Sequence, residues 1–346
     1  MKNPQSTKRE GISQKAKRTA LYSPDDSAIM FLCAILLPSL FAFPFAMWSS
    51  QTGKDIPTIF NYLIPQLAML AGFFVLSGIR KVNYTKANGI KFKLNIWLVL
   101  LLPIISFISL YGFSPIVDLL DTLTESWGYQ TSESLNITFS GFGDFVLKCL
   151  YIALLPAICE ELTFRGVVAN GFKKYGILTA SFLTAFFFAI MHQNLQQLIY
   201  QFVIGFVFAY FALKGESIIY SFILHFVNNF VILLSTYISQ QSGAEQVAMD
   251  YSVAWNVIWP ILLAIVATGA LVGILFLTNY IVKKTKQKQS ANANQLAKQT
   301  EKEPQKFAES QDDDKFFKRP LVLTAMISGI IIWALAILRN FEWFGK

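Results

Sequence analysis

Charge is the scarcest commodity in this chain. Asp, Glu, Lys and Arg make up only 14% of its 346 residues, while 54% are hydrophobic and the mean hydropathy is +0.47. Soluble domains carry about 25% charged residues, so this composition excludes an ordinary soluble fold and points to a polytopic membrane protein. Histidine occurs only twice, as His192 and His225. Cysteine occurs three times, as Cys33, Cys149 and Cys159, an odd number with no CxxC spacing. That excludes a disulfide framework and a thiolate metal site, and the three read as small buried hydrophobes. No internal repeat is visible. The net charge of +8 does not call for nucleic acid, because membrane orientation explains it.

Long apolar runs dominate what is present. A basic N-terminal segment, 1–26, precedes a run at Ser27–Trp48, which is too long for a signal-peptide core and is expected to stay as a span bent by Pro38 and Pro44. Further runs follow at Pro57–Ile79 and Ile96–Phe113, then an acidic stretch, Ser114–Gly141, expected to be an external loop. The next run begins near Phe142 and carries Glu160, Glu161 and Arg165, with Gly171 as its expected stop. Ile177–Met191, Leu195–Leu213, Ser217–Ile238, Ala254–Val282 and Pro320–Leu338 complete about nine spans. Residues 283–319, rich in Lys, Gln, Glu and Asp, are expected to be a solvated, largely disordered loop. With a cytosolic N-terminus, 25 of the 29 Lys and Arg residues fall on the cytosolic side, as the positive-inside rule requires. The expected fold is therefore an all-α transmembrane bundle. It divides into a tail (1–26), three spans with an external loop (27–141), a core (142–238), an external loop with the eighth span (239–282), a polar cytosolic loop (283–319) and a last span (320–346).

The few polar groups inside the apolar runs carry the functional signal, because ionisable residues at membrane depth are costly. Glu161 and Arg165 stand at i and i+4, on one helix face, and can pair. Glu160 lies about 100° round the helix with no cation at i±3 or i±4, which makes it the freer carboxylate. Phe188 with His192, and His225 with Asn229, share the same i, i+4 spacing. Glu160 lies 14 residues before the turn at Lys174 and His192 lies 18 after it, a difference in depth of about 6 Å in an antiparallel hairpin. His225 lies 9 residues beyond Glu216, roughly 14 Å into the membrane. Glu160, His192, His225 and Asn229 can thus converge at one level.

Two chemistries suit such a set. Two imidazoles and a carboxylate can bind zinc and activate water. Alternatively, Glu160 serves as general base for a water, while the histidines and Asn229 polarise the scissile carbonyl and stabilise its oxyanion. A proton or ion relay is the rival reading, since Glu/His chains also serve transporters. No HExxH and no serine-protease GxSG occurs. Gly141-Phe-Gly143-Asp144 matches the glycine-aspartate motif of intramembrane aspartyl proteases, but Ile96–Phe113 holds no second Asp, so the stretch reads as a turn and helix start.

At these residues the sequence resembles the CPBP family (CAAX-protease-like and bacteriocin-processing proteins), whose pattern is EExxxR, FxxxH and HxxxN/D. Here the three read Glu160-Glu161-Leu-Thr-Phe-Arg165, Phe188-Ala-Ile-Met-His192 and His225-Phe-Val-Asn-Asn229, in that order within about residues 142–238. The resemblance implies an all-helical intramembrane endopeptidase, grouped with metalloproteases, acting on a membrane protein or peptide. It implies Glu160 as the activating carboxylate, His192 and His225 completing the site, Asn229 at the oxyanion, and Glu161 with Arg165 in support. It does not imply a prenylated substrate. A non-proteolytic membrane scaffold or a bacteriocin-immunity protein is the alternative function. The Lys-, Phe- and Asn-rich usage fits a bacterial plasma membrane.

Overall fold

The computed structural model describes residues 21–130, 137–242, 253–300 and 316–341. They form helices α1 (Pro24–Thr52), α2 (Thr58–Arg80), α3 (Ile96–Ser126), α4 (Phe142–Tyr175), α5 (Ile177–Met191), α6 (Leu198–Lys214), α7 (Ile218–Ser242), α8 (Val253–Thr300) and α9 (Pro320–Arg339). All but α5 and α6 contain an apolar stretch long enough to cross a membrane. α5 and α6 are apolar but have only 15 and 17 residues. The protein is an all-α polytopic bundle. The 1–20 tail and the stretches 131–136, 243–252 and 301–315 of the expected loops lie outside the described residues.

Local sequence sets the helix ends. Ser23 caps α1 through a reciprocal capping box with Asp26, and Pro24 occupies the first turn. Gly53, at φ 66°, closes α1 in the left-handed region. Gly141 opens α4, and Asp144 accepts from the Ser140 N–H at 3.0 Å and from Lys148 at 2.5 Å, so Gly141–Asp144 is a turn and helix start. Gly171 does not stop α4. The helix runs on and breaks at Gly176, φ 91°. The glycine at 171 is needed because α1 crosses there, and an added Cβ would overlap Ser27 Oγ and come within 2.5 Å of the Ser23 carbonyl oxygen.

Two expected loops are partly helical. α3 continues through Ser126 rather than ending at Phe113. Ile116, Val117, Leu119, Leu120 and Leu123 interleave with Asp118, Asp121 and Glu125, an amphipathic pattern that carries the helix past the acidic residues. α8 extends to Thr300, well into the stretch expected to be a loop from residue 283. Neither Gly nor Pro follows Gly273 within it, and Lys, Gln and Ala are good helix formers. At 48 residues, α8 is about 72 Å long, more than twice the hydrocarbon core.

The core forms where α4, α5 and α6 meet α1 and α7. Phe31 and Phe187 stack with centroids 4.1 Å apart, and Phe164 meets Phe188 edge-on at 5.2 Å. Gly205 lets α6 approach α5 closely: a Cβ there would lie 3.2 Å from Ala185 Cα. Leu40, Phe43, Phe74, Val75, Phe107, Val266 and Phe276 face outward, where lipid rather than protein covers them. Within this shell the buried ionisable groups of α4 must find partners among themselves.

Candidate active site

α4 is not a uniform α-helix. It passes from α-helical Leu155–Glu160 into a π-helical stretch, Glu161–Ala169, and an earlier one spans Cys149–Leu154. Such widened turns often mark functional sites, and here the change falls between the two glutamates. Glu160 and Glu161 are both buried, at 6% and 1% exposure.

Glu161 Oε1 is the hub. It accepts from Arg165 Nη1 at 2.8 Å and from His225 Nδ1 at 2.8 Å. Arg165 is fully buried. Its Nη2 donates to the Gly205 carbonyl at 3.2 Å, and its guanidinium lies 4.5 Å and 5.3 Å from the Phe188 and Phe208 ring centroids. The expected Glu161–Arg165 pair is thus present, and it also holds a histidine. Because a carboxylate paired with arginine only accepts, His225 Nδ1 carries the hydrogen and Nε2 keeps a lone pair in the neutral ring.

Glu160 is held differently. Oε1 accepts from Gln66 Nε2 at 2.8 Å. Oε2 is buried without a hydrogen-bond partner and lies 3.8 Å from His225 Nε2. The glutamates therefore flank one imidazole, each facing a different nitrogen. With both carboxylates ionised and the imidazoles neutral, Glu160, Glu161 and Arg165 leave one uncompensated negative charge in the apolar shell.

His192 and Asn229 stand one step back. His192, at the end of α5, donates from Nδ1 to the Phe188 carbonyl at 2.8 Å and packs its ring 4.7 Å from that of Phe188. Its Nε2 is left with the lone pair, and the Phe188 ring neighbours both imidazoles, its centroid 6.2 Å from that of His225. Asn229 donates from Nδ2 to the Ile152 carbonyl at 3.3 Å and accepts from Asn228 Nδ2 at 3.4 Å. Asn228 in turn accepts from the Tyr200 hydroxyl at 2.5 Å. α4, α5, α6 and α7 all contribute to this polar cluster, and α2 adds Gln66.

Three of these residues were not singled out from the sequence. Gln66 interrupts the apolar Leu63–Leu70 stretch, and an amide at that depth is a usable signal. Asn228 sits beside Asn229, and Tyr200 is polar only at its tip, so neither stands out. Among the described residues, no group of three or more His, Cys, Asp or Glu side chains is placed to hold a metal ion. The zinc ion weighed from the sequence would need Glu160, His192 and His225 drawn closer together.

Residues 142–231 match the family model described as type II CAAX prenyl endopeptidase Rce1-like. No curated protein and no solved structure matches the chain. The matched stretch contains Glu160, Glu161, Arg165, His192, His225 and Asn229 and leaves α1–α3, α8 and α9 outside it. Over residues 142–231 the chain is thus similar to CAAX-protease-like membrane proteins, in support of the CPBP resemblance carried by the three motifs.

Proposed function

We propose that this protein is an intramembrane endopeptidase that hydrolyses a peptide bond of a membrane-associated protein or peptide, with water activated by Glu160. The observation that carries the reading is the unpartnered, buried Oε2 of Glu160, 3.8 Å from a histidine whose far nitrogen is pinned by Glu161. A free carboxylate oxygen in an apolar shell is a base waiting for a proton donor.

In the proposed reaction a water enters between Glu160 Oε2 and His225 Nε2. Glu160 takes its proton as the oxygen attacks the scissile carbonyl. Negative charge moves to the carbonyl oxygen. Asn229 has a second amide hydrogen for this oxyanion, and the Tyr200–Asn228–Asn229 chain fixes its side chain. The proton on Glu160 then passes to the leaving amine. His225 accepts the water's other hydrogen at its Nε2 lone pair, and the Glu161–Arg165 pair keeps His225 in that tautomer. No step passes through a metal. The cytosolic N-terminus and a bacterial plasma membrane, both taken from the charge pattern and composition, complete the reading.

The test reconstitutes the full chain in lipid nanodiscs with a library of transmembrane peptides and farnesylated CAAX peptides in ¹⁸O-water. Mass spectrometry reads the products. The proposal expects fragments whose new carboxyl carries one ¹⁸O, absent with Glu160→Ala and His225→Ala. Equal cleavage by the wild type and both variants overturns it.

A further inference from the structure

We propose that Gln66 is a positioning residue for Glu160, which makes α2 part of the active centre although it lies outside the family-matched residues 142–231. The proposal rests on the endopeptidase reading above.

α2 turns one face to the inside of the bundle. Its buried positions include Gln66, Met69 and Phe73, spaced three and four apart on one side of the helix. Tyr62, one turn before Gln66, packs its ring 5.4 Å from that of Tyr151 on α4. The face that carries Gln66 thus runs along the helix that carries Glu160. Gln66 is 8% exposed, and its Nε2 donates to Glu160 Oε1 at 2.8 Å.

The chemistry fixes which way the amide points. An ionised carboxylate only accepts, so the nitrogen must face Glu160 and the amide oxygen must face away from that bond. That oxygen is buried and has no hydrogen-bond partner, as is Glu160 Oε2. A glutamine that merely glued two helices together is expected to satisfy both ends, because an orphaned buried acceptor is costly. Here one end binds the proposed base and the other has no hydrogen-bond partner. The bond also breaks the symmetry of the carboxylate. Oε1 is occupied, the side chain cannot rotate freely, and Oε2 is left facing His225 Nε2 at 3.8 Å. Gln66 therefore selects which oxygen of Glu160 takes the proton.

The test uses the full chain in nanodiscs, with a peptide substrate cleaved by the wild type. Gln66→Met keeps the volume and removes the donor. A lost hydrogen bond to a charged group corresponds to about a 10- to 100-fold change in rate. The expected result is a kcat lower by that factor, a KM within about twofold of wild type and an unchanged thermal midpoint, since only a transition-state interaction is weakened. The double variant Gln66→Met/Glu160→Gln should be no slower than Glu160→Gln alone, because the two residues act as one unit. Wild-type kcat in Gln66→Met while Glu160→Gln is inactive overturns the positioning role alone. So does a double variant whose losses multiply, or a rate loss that merely follows a lowered thermal midpoint. Full activity in both single variants overturns the endopeptidase reading and this inference with it.

Discussion

Arg165→Met exposes how the buried charges depend on one another. Methionine fills most of the arginine's space but removes three things at once: the 2.8 Å bond to Glu161, the bond to the Gly205 carbonyl, and the cation lying 4.5 Å from the Phe188 ring centroid. Glu161, 1% exposed, would be left ionised with only His225 beside it. Breaking one side of a buried ion pair costs about 3–5 kcal/mol, and a desolvated cation–π contact adds about 1–2 kcal/mol. The expected loss is thus about 4–7 kcal/mol, a large share of the about 5–15 kcal/mol that holds a typical protein folded. Adding Glu161→Gln removes the orphaned charge, so the double variant should regain most of the ion-pair part but not the cation–π part. Reversible unfolding in mixed micelles, followed by circular dichroism, measures all four corners of the cycle. An Arg165→Met variant within about 1 kcal/mol of wild type, or a double variant no more stable than the single one, would refute the buried pairing.

Two further predictions concern the frame around the site. Gly205→Ala places a methyl 3.1 Å from the Phe188 ring and 3.2 Å from Ala185 Cα; it should lower the thermal midpoint and reduce activity together, because α5 must shift and take His192 with it. Glu216, in the turn between α6 and α7, binds Lys286 at 2.6 Å and Lys91 at 3.2 Å. The hydrogen bond from Lys286 above all, joined by that from Lys91, holds its carboxyl down at about 2. The folded-state value is depressed, so this contribution is complete above the ordinary carboxylate value of 4.5 and fades as pH falls towards about 2. At 42% exposure the effect should stay below about 1 kcal/mol and shrink in high salt. The difference in thermal midpoint between wild type and Glu216→Gln, measured from pH 6 down to the acid limit, should close in that window.

Much of this architecture was legible because membranes impose simple rules. Each expected span coincides with an observed helix, since long apolar runs have few alternatives in lipid, but among the described residues only seven of these helices are long and apolar enough to cross a membrane, α5 and α6 being too short. Glu161 and Arg165 pair at the i, i+4 spacing read from the sequence. Their link to His225 was not legible, because helix periodicity says which residues share a face and not which neighbouring helix that face meets. Glu161, expected only to neutralise Arg165, is in fact the nearer carboxylate to His225. Gln66 was hidden for the same reason: its partner lies 94 residues away, and nothing local distinguishes an amide that binds Glu160 from one that packs. The helical ends of α3 and α8 were missed because polar composition was weighed above amphipathic pattern and helix propensity. The π-helical turns of α4 leave no mark in residue type at all.

Everything proposed for this protein turns on one oxygen, Glu160 Oε2. Glu160→Gln keeps the shape of the side chain and removes the base. The direct test compares kcat for cleavage of the same peptide by wild type and Glu160→Gln in nanodiscs, with the thermal midpoint of each recorded. Loss of a general base costs about 10²- to 10⁴-fold, so the account predicts a fall in that range with the fold intact. Cleavage by Glu160→Gln at the wild-type rate would contradict it.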